Sequence, residues 1–117
     1  MVEELAPAIV VMALAAEGAG RFEEQGIAVL YTGLGKVNAA IALCRRFSEY
    51  RRAGRALPLV VNFGTAGSLR HPAGTIVGCH RFIDRDMDVS ALGFARGVTP
   101  FDGLPAMLEF RPRCPQL

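Results

Sequence analysis

No run of apolar residues in this chain approaches the ~18 needed for a membrane-spanning helix, so a membrane location is not indicated. The N-terminus lacks the basic stretch that precedes a secretory core. Glu3 and Glu4 stand there instead, which argues against export and for a cytoplasmic protein. Cysteine is sparse: Cys44, Cys79 and Cys114 are odd in number and 35 residues apart, a pattern that suits neither a disulfide framework nor a zinc site. They read as reduced, mostly buried thiols. Neither an internal repeat nor a low-complexity tract is present, which removes solenoid and disordered classes.

Lysine is nearly absent as well, with a single Lys36 beside twelve arginines and eleven acids for a net charge of +2. Five arginines (Arg45, Arg46, Arg51, Arg52 and Arg55) crowd one stretch. They fall toward the C-terminal end of a predicted helix, where cations complement the helix dipole and solvate its outer face. Nucleic acid is therefore not the expected partner.

What remains is 117 residues, 51% of them hydrophobic, enough for one domain with a core. Ala8 to Leu14 is a β-branched-rich run bounded by Pro7 and by Ala15-Ala16-Glu17-Gly18, and it predicts a buried strand. Ile27 to Thr32 predicts a second strand, running into Gly33-Leu34-Gly35. From Lys36 the period becomes helical, with Val37, Ala40, Ile41, Cys44 and Phe47 on one face, and Gly54 and Pro58 close that helix. Leu59 to Phe63 reads as a third strand, buried on both faces, and Gly74 to Phe82 as a fourth. Strands alternating with helices mean an α/β fold, a central parallel or mixed sheet with flanking helices. Residues 1–96 are expected to form the N-terminal portion of this domain, and residues 97–117 a proline-rich irregular tail of the same, interrupted domain.

Glycine turns follow two of these strands. Gly33-Leu34-Gly35 fails the dinucleotide fingerprint because Asn38 stands where the third glycine belongs, and it fails the phosphate-loop motif because Val37 follows Lys36. Asn62-Phe63-Gly64-Thr65-Ala66-Gly67 is the stronger signal, a strand opening into a turn whose backbone N–H groups can face a ligand; a plain tight turn is the bland alternative. Asp84, Asp86 and Asp88 resemble the start of a calcium loop, but Val89 replaces its glycine and Ala95 its glutamate. Three acids alternating on one strand face would then sit at a pocket rim, at a subunit contact or simply in solvent. Glu17 closes the first strand, where a carboxylate either orients water or merely favours a helix N-terminus.

Four segments carry a resemblance: Met12-Ala13-Leu14-Ala15-Ala16-Glu17, Thr32 to Ala40, Val61 to Leu69, and Asp86 to Phe94. In this order they resemble the purine nucleoside phosphorylase and nucleosidase superfamily, and among its members the 5′-methylthioadenosine/S-adenosylhomocysteine nucleosidases. The resemblance implies cleavage of the N-glycosidic bond of a purine nucleoside through an oxocarbenium-like transition state. It implies that Glu17 is the catalytic residue holding the attacking water, and that Thr65, Ala66 and Gly67 line the nucleoside site. It places Asp86 to Phe94 near the site and near the contact of a homodimer. No cofactor and no metal are expected.

Phosphorylases of the superfamily usually carry arginine where this chain has Asn62, so Asn62 in the substrate site implies water as the nucleophile. Arg21, Arg70 or Arg81 could supply that charge, which leaves a phosphate-dependent phosphorylase as one alternative. A non-catalytic nucleoside-binding module is the other. Only 15 residues separate Glu17 from Gly33, fewer than the family's usual strand meander. The family's ribose-binding Met-Glu pair and its catalytic Asp find no counterpart. Asp102 and Glu109 follow in the proline-rich tail without the family context. The chain reads as the N-terminal half of such a fold, with the C-terminal half missing.

Overall fold

The computed structural model describes residues 7–111, which divide into two compact units between Gly67 and Ser68. In the first unit the chain runs β1 (Ala8–Met12), α1 (Ala15–Gly18), α2 (Arg21–Glu24), β2 (Val29–Tyr31), α3 (Lys36–Arg52) and β3 (Leu59–Asn62). Its three strands form a parallel sheet in the order β2-β1-β3. This is the α/β architecture with a parallel sheet that alternating strands and helices predict.

β1 is central, so both its edges are paired, and its β-branched sequence fits a strand covered on both faces. Ile9, Val10, Val11 and Met12 are the buried hydrophobic residues among those described. The one-turn helix α1 is held against this strand by Gly18, where a Cβ would lie 2.9 Å from the Met12 Sδ and Cε atoms. Glycine at this position leaves room for the end of the Met12 side chain to pack against α1.

β3 departs from expectation. Leu59 and Val61 are exposed, because β3 pairs with β1 along one edge only and its flanks meet little cover among the described residues. Phe63, just past it, packs edge-on against Phe22 with ring centroids 5.2 Å apart.

α3 forms over the predicted range, with Arg51 and Arg52 in its last turn. Of the predicted face only Phe47 is on the covered side. Val37, Ala40, Ile41 and Cys44 are exposed, while Ala39, Ala42, Leu43, Phe47 and Tyr50 are partly covered. Each residue advances the helix by about 100°, so the two stripes lie side by side and periodicity alone does not choose between them. Phe47 and Tyr50 interleave the arginines, and the Arg55 guanidinium lies 4.2 Å from the Tyr50 ring centre. The Tyr31 hydroxyl donates to Glu23 Oε1, which pushes the tyrosine pKa up and the glutamate pKa down. No helix among the described residues is long and apolar enough to cross a membrane.

The second unit holds β4 (Arg81–Ile83) and β5 (Met107–Glu109), paired antiparallel as a separate two-stranded sheet, with a 3₁₀ turn at Ser90–Leu92. The predicted fourth strand was too long at its start: Gly74 to His80 is irregular, consistent with the strand-weakening glycines at positions 74 and 78. The stretch after Gly97 is not wholly irregular, since Glu109 ends β5. Gly97 itself is backed against Ile83, whose Cγ1 lies 2.9 Å from where a Cβ would stand.

The three aspartates do not share a strand face. β4 ends before them, Asp84 Oδ1 accepts from the Asp86 amide at 3.3 Å within a turn, and Asp86 lies 3.7 Å from Arg85 Nε. Asp88 Oδ1 accepts from the Ser90 amide at 3.1 Å, and bonds to the Ser90 side chain and backbone, with Arg96 nearby, hold its pKa down. Cys44 and Cys79 are exposed rather than buried, since α3 turns position 44 outward and position 79 precedes β4 in an open segment. Cys114, Pro112 and Pro115 lie outside the described residues.

Candidate functional site

In a parallel sheet all strands deliver their following turns to one edge. Here that edge receives residues 13–17 after β1, 32–35 after β2 and 63–67 after β3. The order β2-β1-β3 means that the chain leaves β1 toward one side and reaches β3 on the other. Such a reversal of strand order opens a crevice between the two diverging connections, the place where open α/β sheets bind ligands.

Glu17 and Thr65 meet at this switch point. Thr65 donates twice to Glu17 Oε2, from its amide at 2.8 Å and from its hydroxyl at 3.1 Å. The Leu14 amide donates to Oε1 at 3.1 Å, closing the carboxylate back on the turn that precedes α1. Donors that favour the charged form lower a carboxyl pKa. The Thr65 amide, then Leu14, the Thr65 hydroxyl and Ala13 hold Glu17 below the usual glutamate range, against a smaller opposing effect of desolvation. Glu17 is therefore both things the sequence allowed, a first-turn glutamate of a short helix and a carboxylate fixed where the first strand ends.

The neighbouring turns are equally defined. The Thr32 and Gly33 amides donate to the carbonyls of Met12 and Ala13 at 2.9 and 3.0 Å, extending the β1–β2 ladder past the strands. Gly33 and Gly35 have φ of +79° and +92°, values that favour glycine, and Asn38 Nδ2 donates to the Leu34 carbonyl at 2.7 Å. This turn is a backbone corner that starts α3.

Asn62 is the last residue of β3, opposite Val11 in register, and is exposed. Ala66 and Gly67 follow Thr65 in an irregular, exposed stretch, and no helix follows them. The structure thus joins Glu17 to Thr65, while Asn62, Ala66 and Gly67 share the same loop without touching the carboxylate through any recorded bond. Sequence reasoning missed two features: Thr65 as the partner of Glu17, and the proximity of Gly64, where a Cβ would stand 3.0 Å from Glu17 Oε2. A glutamate after one strand and a Gly-Thr after another meet when those strands are parallel neighbours, and that adjacency of β1 and β3 is visible only in the structure.

The profile of the phosphorylase superfamily matches residues 19–117, beginning two positions after Glu17. Curated relatives named 5′-methylthioadenosine/S-adenosylhomocysteine nucleosidase are similar to this chain. That of Geobacillus kaustophilus (strain HTA426) is 36% identical over 91 residues, 74% of this chain and 35% of the relative. That of Bacillus subtilis (strain 168) is 34% identical over 89 residues, covering 74% and 36%. That of Marinomonas sp. (strain MWYL1) is 31% identical over 83 residues, covering 69% and 34%. The chain spans about a third of the length of these relatives. With its parallel sheet and with residues 19–117 of its 117 inside the family profile, it belongs to the phosphorylase superfamily.

Proposed function

We propose that this chain supplies the water-activating part of a purine-nucleoside N-glycosyl hydrolase acting on methylthioadenosine or adenosylhomocysteine. The observation that carries this reading is the Glu17 carboxylate of α1, the helical turn that follows β1, kept ionised and held by Thr65. An ionised carboxylate held by three hydrogen bonds orients a water molecule through its remaining lone pairs and accepts a proton as the C–O bond forms. The lowered pKa makes it a weak base, which suits an oxocarbenium-like transition state in which the sugar carbon is already strongly electrophilic. Positioning, more than proton abstraction, is then its contribution.

The open backbone of Thr65, Ala66 and Gly67 receives the nucleoside, and Asn62 takes the place of a phosphate-gripping arginine. Protonation of the departing purine is assigned to no residue of this chain. The same reading makes the protein a cytoplasmic homodimer whose partner is a small-molecule nucleoside, with no part for nucleic acid, membrane, metal or organic cofactor.

The test is product analysis. The longest natural polypeptide that carries this sequence is incubated with methylthioadenosine, with and without inorganic phosphate. Adenine and free methylthioribose formed at equal rates in both buffers support the hydrolase. A sugar 1-phosphate, or a rate that depends on phosphate, assigns a phosphorylase. Nucleoside binding without release of base assigns a binding module.

A further inference from the structure

Two glycines of the loop after β3, Gly64 and Gly67, have φ outside the left-handed region, so neither is demanded by its backbone. They differ in what surrounds them. A Cβ at Gly67 would meet nothing within 4 Å, whereas one at Gly64 would stand 3.0 Å from Glu17 Oε2 and 3.9 Å from its carboxyl carbon. The first distance is well inside the ~3.5 Å at which nonbonded heavy atoms attract one another. The oxygen it presses on is the one that takes both hydrogen bonds from Thr65.

We propose that Gly64 is a positioning residue, whose missing side chain lets the Glu17 carboxylate seat itself against Thr65 between β1 and β3. A methyl group at position 64 would move Oε2 by a few tenths of an ångström or more. The Thr65 hydroxyl bond is already 3.1 Å long and sits near the end of the useful range, so it is lost first. The seating is a property of the folded chain. Only its consequence for rate rests on the proposed role of Glu17.

The donors that lower the Glu17 pKa are neutral: the amides of Thr65, Leu14 and Ala13 and the Thr65 hydroxyl, with no charged group among the causes. A displaced carboxylate loses some of these and titrates higher. This gives a readout independent of activity. With ¹³C-carboxyl-labelled glutamate, the Glu17 resonance is followed against pH in the wild-type chain, in Gly64→Ala and in Gly67→Ala. The expected result is a titration that moves upward in Gly64→Ala and stays in place in Gly67→Ala. A folded Gly64→Ala in which Glu17 titrates as in the wild type would overturn the proposal.

Where Gly64→Ala alone does not fold, Gly64→Ala combined with Glu17→Ala decides, because removing the carboxylate removes the clash. Recovery of the fold in the double variant supports the proposal, and failure of both overturns it. In the longest natural polypeptide, Gly64→Ala should lower kcat by up to about 100-fold with KM little changed. Gly64→Ala with Glu17→Asp, which draws the carboxylate back by one methylene, should regain part of that loss. A titration that moves while kcat does not would leave the seat standing and count against the catalytic role of Glu17.

Discussion

Thr65 donates both its amide and its hydroxyl to one oxygen of Glu17, across 48 residues of sequence. The pair ties the turn after the central strand to the turn after its neighbour. It also gives the charged carboxylate a purpose in folding, since the bonds favour the ionised form.

That preference fixes the pH dependence of stability. The folded Glu17 pKa lies below its ordinary value of 4.5, so folding is stabilised above that pH and the benefit is lost as pH falls through the lowered folded value. Denaturation midpoints of the wild type and Glu17→Gln should therefore differ near neutrality, and the gap should begin to close near pH 4.5 and vanish only below the lowered folded value. A gap that stays constant down to the lowest pH at which both fold would contradict this. Glutamine keeps the shape but presents an NH₂ group to either the Thr65 or the Leu14 donor.

The core makes a second prediction. Ile9 is fully covered at the middle of the sheet, whereas Leu69 is fully exposed. Ile9→Ala should cost about 2–5 kcal/mol, the range for a buried aliphatic truncation. Leu69→Ala should stay within about 0.5 kcal/mol. Urea unfolding of both variants checks the contrast, and equal effects would mean that the sheet is not the stabilising centre.

Much of the fold was legible in the sequence. The run from Ala8 shows β1 because a strand paired on both edges and covered on both faces needs continuous apolar residues. The helical period from Lys36 and the run at Leu59 show α3 and β3 for similar local reasons. What failed was everything that depends on neighbours. The covered face of α3 lies beside the predicted one because apolar residues occupy both stripes. β3 looks buried by composition but sits at an edge. Cys44 follows the α3 error outward. Ile76 and Val77 suggested a strand that their flanking glycines do not sustain, and β5 was hidden in a proline-rich segment too short to show alternation. Glu17 was readable as a strand-end carboxylate, yet its bond to Thr65 depends on strand order, which no spacing within the chain encodes.

Exposed apolar surface leads to a third prediction. Val37 is 71% and Ile41 49% accessible on α3, and Val61 is 41% accessible on an edge strand. Surface of this kind, and a strand edge that is unpaired among the described residues, favour association. The 117-residue polypeptide should self-associate, with a mass by light scattering that rises with concentration. A monomer unchanged from micromolar to submillimolar concentration would contradict it.

The central claim is that Glu17 positions the water that attacks the nucleoside, and one measurement meets it directly. Adenine release from methylthioadenosine is compared for the wild type and Glu17→Gln in the longest natural polypeptide carrying this sequence, with circular dichroism confirming that both are folded. Loss of a positioned carboxylate should lower kcat by about 100-fold or more while KM changes little. A Glu17→Gln protein that turns over within a few-fold of the wild type would contradict the account.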